Sequence, residues 1–203
     1  MSNEIAGFGD NAVVTVQRNQ KPEDMFGIGG RYEVVCRDAN GNVKWEDVAE
    51  NLVVAAGKQL MLDTLLRGSA YTVVGPFLGL TKVSLTPVAT DTMTTLVTTN
   101  AGEFVNYTVG GSAVRGTAAF GVSSSSGTTP ANVTTSTATG IVYTITGAGG
   151  TVYGCFLVTG TGAVSTQSNT SGTLYSEGNF SGGSKVVVSG DTLTVTYSTT
   201  ATS

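Results

Sequence analysis

The sequence predicts an all-β protein: an antiparallel, jelly-roll-like β-sandwich with one short α-helix and an extended amino-terminal arm. Three observations lead there. From Ala101 to Ser203 the chain is rich in Thr, Ser, Gly and Val, and its only charged side chains are Glu103, Arg115, Glu177, Lys185 and Asp191, a composition that suits pleated strands and tight turns. Apolar residues recur with a period of two, most clearly Leu193, Val195 and Tyr197 against Thr192, Thr194 and Thr196. Asn40-Gly41 stands between two apolar segments, the strongest short-range signal for a hairpin.

Residues 1–25 hold one short apolar run, 12–16, between the turn-prone Gly7-Phe8-Gly9-Asp10-Asn11 and a polar stretch. They are expected to form an arm that orders on contact, with Phe8, Val13, Val14 and Val16 as its partner-binding anchors. Residues 26–203 are expected to fold as a single sandwich domain, since no Pro-rich or long charged linker divides them. Gly27-Ile28-Gly29-Gly30 precedes a strand rather than a helix, so it reads as a turn and not a phosphate loop. Gly182-Gly183-Ser184-Lys185 reads the same way.

Strands are expected at 31–37 and 43–54, joined through Asn40-Gly41, with Trp45, Tyr32 and Val34 forming an aromatic cross-strand cluster. A helix is expected over 53–67, where Ala56, Leu60, Met61, Thr64 and Leu65 fall on one face and Gly68 stands at the C-cap position. Further strands are expected at 77–83, 104–109, 113–120 and 174–180. Two more hairpins follow from turn spacing: 141–145 with 152–158, and 185–188 with 193–197. Eight to ten strands fit a sandwich or jelly roll. The Ser/Thr-rich 121–139 is too polar to pack by itself and is expected to be a loop.

The 203-residue chain is long enough to bury a core without a staple. Its two cysteines, Cys36 and Cys155, each lie in an apolar run and are expected to be free core thiols. A formal charge of −4 argues against a nucleic-acid surface. Neither a signal peptide nor an apolar run of membrane-spanning length is visible, so no membrane partner is expected and folding in a cytoplasm is. The chain has no histidine, which removes the usual Ser-His-Asp and Cys-His machinery and the common zinc ligand sets. Glu46 and Asp47 are neighbours on an expected strand and point to opposite faces, so a glycosidase pair is not expected and both should be solvated. The expectation is a protein that is not an enzyme, with no catalytic residues, no cofactor and no metal.

The order of segments carries a resemblance. The hairpin around Asp38-Ala39-Asn40-Gly41-Asn42-Val43-Lys44-Trp45 is followed by Glu50-Asn51-Leu52-Val53-Val54-Ala55-Ala56-Gly57 and a leucine-rich helix. Then come Pro76-Phe77-Leu78-Gly79-Leu80, Asp91-Thr92-Met93, and a close from Leu174-Tyr175-Ser176 to Gly190-Asp191-Thr192-Leu193-Thr194-Val195-Thr196-Tyr197-Ser198. From about residue 26 to 199 this resembles a family of tailed-bacteriophage virion structural proteins, similar to the jelly-roll capsid cement or decoration proteins. The resemblance implies a place on the capsid surface after assembly in the host cytoplasm, the major capsid protein as partner, and self-association as a homotrimer. It brings no catalytic residues. The alternative it leaves is a tail fibre or receptor-binding module for a host-surface glycan, with Trp45, Tyr71 or Tyr107 stacking on sugar rings.

Overall fold

In the computed structural model of the chain, residues 27–67, 74–121, 131–133 and 140–202 are described. The expected arm, Gly68 and most of the 121–139 segment lie outside them. Strand β1 (Gly27–Arg37) turns through Asn40-Gly41 into β2 (Val43–Glu50), forming the expected hairpin. Asp38 Oδ1 accepts the amides of Asn40 and Asn42, each at 2.9 Å, and Gly41 takes φ +86°, a left-handed conformation that a side chain would strain.

The chain continues through β3 (Leu52–Val53), α1 (Ala55–Leu66), β4 (Phe77–Thr81), a π-helical turn (Thr95–Thr99), β5 (Glu103–Phe104), β6 (Tyr107–Thr108) and β7 (Gly116–Thr117). After β8 (Ala131–Val133) come β9 (Ile141–Ile145), β10 (Gly150–Val152), β11 (Gly154–Thr159), β12 (Thr173–Asn179), β13 (Lys185–Val187) and β14 (Thr192–Thr202). One antiparallel sheet has the order β2-β1-β14-β9-β6, with β8 also on β14. The other has the order β3-β12-β11-β4-β5, with β7 also on β4. β10 and β13 form a separate two-stranded ribbon.

The two large sheets face each other across one core, which makes the fold a sandwich. Tyr32, Val34, Cys36, Leu193, Val195 and Tyr197 from the first sheet meet Leu78, Leu80, Cys155 and Leu157 from the second. β14 buries its odd-numbered apolar residues and leaves its threonines partly exposed, as its alternation predicts. A second apolar cluster, including Leu85, Met93, Leu96, Phe156 and Val158, lies on the other face of β11. That is why β11 is buried at all six positions. Cys36 and Cys155 are both buried and free.

Several expectations are corrected. Gly27-Ile28-Gly29-Gly30 is no turn but the start of β1, and a Cβ on Gly30 would collide with the Tyr197 hydroxyl. β9 and β11 do not pair: they belong to opposite sheets, with the turn through Gly147 and Gly149 crossing between them. β13 pairs with β10, in register from Gly150↔Val187 to Val152↔Lys185, and not with β14. Alternation fixes which face of a strand is buried, not which neighbour it bonds.

The expected 104–109 strand is split, with β5 joining β4 and β6 joining β9. Of 113–120 only the two residues of β7 are strand, and the 121–139 segment contributes β8. Trp45 stands opposite Cys36 and leans on Phe180 at a centroid distance of 5.8 Å, while Tyr32 packs on Tyr197 at 4.6 Å. Trp45 thus packs against the same core cluster as Tyr32 and Val34, as expected, with Phe180 as its aromatic neighbour in place of Tyr32.

Candidate interaction surface

Helix α1 carries apolar side chains that the fold does not bury. Its only buried residue is Gly57, where a Cβ would collide with the Tyr175 carbonyl, so the glycine lets the helix lie close on β12. Leu60, Met61, Thr64 and Leu65 share a face, as their spacing predicts. That face lines an open groove of about 410 Å³ instead of the core. Leu157, Tyr175 and Tyr197 form part of the lining, with Pro76, Phe120, Thr159 and Thr199 completing it.

Hydrogen bonds hold the lining tyrosines, Tyr175 and Tyr197, and the core Tyr32 behind them in place. Asn51 Nδ2 donates to the Tyr197 hydroxyl at 2.8 Å, the Tyr32 hydroxyl and Ser176 Oγ lie 2.7 Å apart, and the Tyr175 hydroxyl donates to Met61 Sδ at 3.2 Å. Burial pushes the Tyr32 and Tyr197 hydroxyls upward from their ordinary pKa, so both remain protonated donors at neutral pH.

Leu65 on the groove's rim is 72% exposed, and Leu62 and Leu66 beyond it are 51 and 80% exposed. The three occupy one stripe at spacings of three and four. An exposed apolar stripe of this kind is a candidate contact surface.

The charges of the second half are withdrawn from this exterior. Glu103, Arg115, Glu177 and Asp191 are all buried, and Lys185 Nζ bonds Asp47 Oδ2 at 2.8 Å. Asp191 accepts Lys44 at 2.5 Å and the Val188 amide at 2.9 Å. The described exterior from residue 101 onward is consequently neutral, a stronger version of what composition predicts.

Asp47, expected to be solvated, is a nearly buried hub that accepts Ser181 Oγ, Lys185 Nζ and the Val48 and Gly182 amides. Burial raises its pKa, but the hydrogen bonds from Lys185, Val48, Ser181 and Gly182 outweigh it and hold the carboxyl at about 2. Glu46 points outward and is exposed, so the two acids do diverge.

One carboxyl pair does converge, Glu177 with Asp91, which sequence reasoning missed because the two residues are distant in the chain. Burial, then the hydrogen bond and charge of Asp91, push Glu177 up to about 8. Asp91 Oδ2 also accepts the Val88 amide at 2.7 Å. Both residues are buried, at 2 and 8% exposure, so the pair is a structural contact inside the fold.

Of the other sequence candidates, Phe8, Val13, Val14 and Val16 lie outside the described residues, as does Tyr71. Tyr107 is buried at 1% exposure, out of reach of any sugar, and Trp45 is partly buried against the core. Among the described residues no group of three or more His, Cys, Asp or Glu side chains is placed to hold a metal. No described helix is long and apolar enough to cross a membrane.

The exposed leucines were legible in one respect. Leu62 and Leu66 fall off the Leu60, Met61 and Leu65 face, and a helix apolar on several sides needs cover from more than one direction. No protein family, curated protein or solved structure matches the chain.

Proposed function

We propose that this chain is a bacteriophage capsid cement or decoration protein, a homotrimer that binds the outer shell and bridges neighbouring major capsid subunits. The observation that carries the reading is the leucine face of α1, exposed on a sandwich whose second half presents no free charge among the described residues. Such a body suits apolar contact with a protein surface. The segment order, similar to that of tailed-phage virion proteins, supplies the identity of that surface.

In this role the 1–25 arm reaches a neighbouring subunit, with Phe8, Val13, Val14 and Val16 as anchors. Ordering the arm costs about 1–2 kcal/mol per residue in backbone entropy, which strand pairing and side-chain burial on the partner must offset. The role requires neither catalytic residue nor cofactor, and involves neither nucleic acid nor membrane. The tail-fibre alternative needs an exposed aromatic platform, and the burial of Tyr107 weighs against it. The test is to add the protein to shells lacking it. Saturable binding and a higher rupture temperature are expected, since a ligand specific to the assembled state stabilises that state.

A further inference from the structure

Between β4 and β5 the chain makes a long excursion, residues 82–102, over the outer face of the second sheet. The excursion is closed at its root, where the Lys82 amide donates to the Gly102 carbonyl at 2.7 Å and the Gly102 amide to the Leu96 carbonyl at 2.8 Å. Its Leu85, Met93 and Leu96 complete the apolar cluster around Phe156 and Val158. Two side chains two residues apart on β12, and so on one face of it, hold the excursion down. Asn179 clamps Leu85, with Oδ1 accepting its amide at 3.0 Å and Nδ2 donating to its carbonyl at 2.7 Å. Glu177 meets Asp91, and both carboxyls are buried. The first clamp cannot titrate; the second can.

Among the described residues Asp91 is the only group whose charge acts on Glu177. β11 sets Phe156 opposite Glu177, and β3 sets Leu52 there. Lys82 and Lys58 are exposed, Asp63 of α1 lies beside Arg67, and Arg115, over Phe156, is bound to Glu103. No cation is therefore placed to stabilise two carboxylates at this contact. An open cleft of about 370 Å³, walled in part by Ser84, Thr86, Thr95 and Asn100, reaches Asp91 and gives water a route to it.

We propose that residues 82–102 form a pH-gated flap, hinged at its root and at Asn179 and latched by the contact between Glu177 and Asp91. With Glu177 protonated the flap lies closed on β12. Lifting the flap solvates Glu177, which releases its proton, and like charge on Asp91 then opposes reclosure. The folded carboxyl is held up at about 8 and returns toward about 4.5 when solvated, so opening becomes easier as pH rises between those values and levels off above about 8. The flap also touches α1: the Ala55 amide donates to the Ala89 carbonyl at 2.8 Å, and Val54 belongs to the apolar cluster that the flap covers. Opening thus frees the start of the helix that carries the exposed leucines. The device belongs to the isolated chain and does not depend on the cement reading.

Hydrogen exchange of the full-length protein, read by mass spectrometry from pH 5 to 9, tests it. Wild type and Glu177→Gln are compared at each pH, so the chemical exchange rate cancels in their ratio. For peptides covering residues 82–102 the wild-type excess is expected to grow by at least about tenfold from pH 6 to pH 8 and then to level off, since one released proton gives up to about tenfold per pH unit. Peptides from β1 and β14 are expected to keep a flat ratio, the mark of a local opening. Asp91→Asn is expected to blunt the rise, because its amide donates to an ionised Glu177. A ratio in 82–102 that does not change with pH overturns the proposal. So does a rise shared equally by β1 and β14, which would make the opening global, or an Asp91→Asn profile matching wild type, which would remove Asp91 as the latch.

Discussion

Arg115 and Glu103 form a bidentate ion pair with neither side chain open to solvent: Nε donates to Oε1 at 2.8 Å and Nη2 to Oε2 at 2.7 Å. Around it Nη2 also donates to the Asn169 carbonyl at 2.7 Å, the Ser168 amide donates to Glu103 Oε2 at 2.8 Å, and the guanidinium lies 5.3 Å from the centre of the Phe156 ring. The pair ties the segment after β11 to the strands at the edge of the second sheet. In a chain half with so few charges, these two are spent inside.

Removing one partner leaves the other buried and uncompensated. Arg115→Met is expected to cost about 3–5 kcal/mol in chemical denaturation. The double variant Arg115→Met with Glu103→Gln is expected to be less damaged than Arg115→Met alone, because no bare carboxylate remains. A double variant weaker than the single would show that the pair's geometry, not its charge balance, holds this edge.

Glu177 makes stability depend on alkali. Its pKa is raised to about 8 in the fold, from the ordinary carboxyl value of about 4.5, so the folded state holds a proton that the unfolded state releases. Its contribution is fully favourable below about 4.5 and is lost as pH rises through about 8. Thermal melts from pH 5 to 9 are expected to show a falling limb that Glu177→Gln flattens, with the variant more stable than the parent at pH 9. Parallel pH profiles for the two proteins would remove Glu177 as the cause.

The leucine face is expected to matter for attachment and not for folding. Leu62→Ser, Leu65→Ser and Leu66→Ser, alone or together, replace side chains that are half or more exposed, and each is expected to change stability by no more than about 0.5 kcal/mol. If these leucines are the anchors of the contact, the triple variant is expected to bind shells at least about tenfold more weakly. Undiminished binding would move the contact elsewhere on the body.

Residue periodicity made the faces of the fold legible, while the pairings stayed hidden. The alternation of Leu193, Val195 and Tyr197 announced which side of β14 is buried, and Asn40-Gly41 announced the β1–β2 hairpin, because both are local chemistry. The partners of β9, β11 and β13 depend on contacts between distant segments, so nearness in sequence suggested hairpins that do not form. Gly30 looked like turn material because its reason, the Tyr197 hydroxyl, lies 167 residues away.

Of the interaction surface, the helix and its Leu60, Met61, Thr64 and Leu65 face were readable; that the face lines a groove was not. Whether a face is covered depends on the neighbouring Gly57–Tyr175 contact and on where the flanking strands end. The burial of Glu103, Arg115, Glu177 and Asp191 left one trace, isolated charges in an otherwise uncharged background.

The central claim, that this protein is capsid cement, is tested most directly by imaging particles with and without it while recording the rupture temperature of their shells. The account predicts density for the sandwich on the outer shell at positions shared by neighbouring capsid subunits, with the leucine face of α1 turned toward them, and earlier rupture when the protein is missing. Density found only at the tail, with shell rupture unchanged, would contradict it.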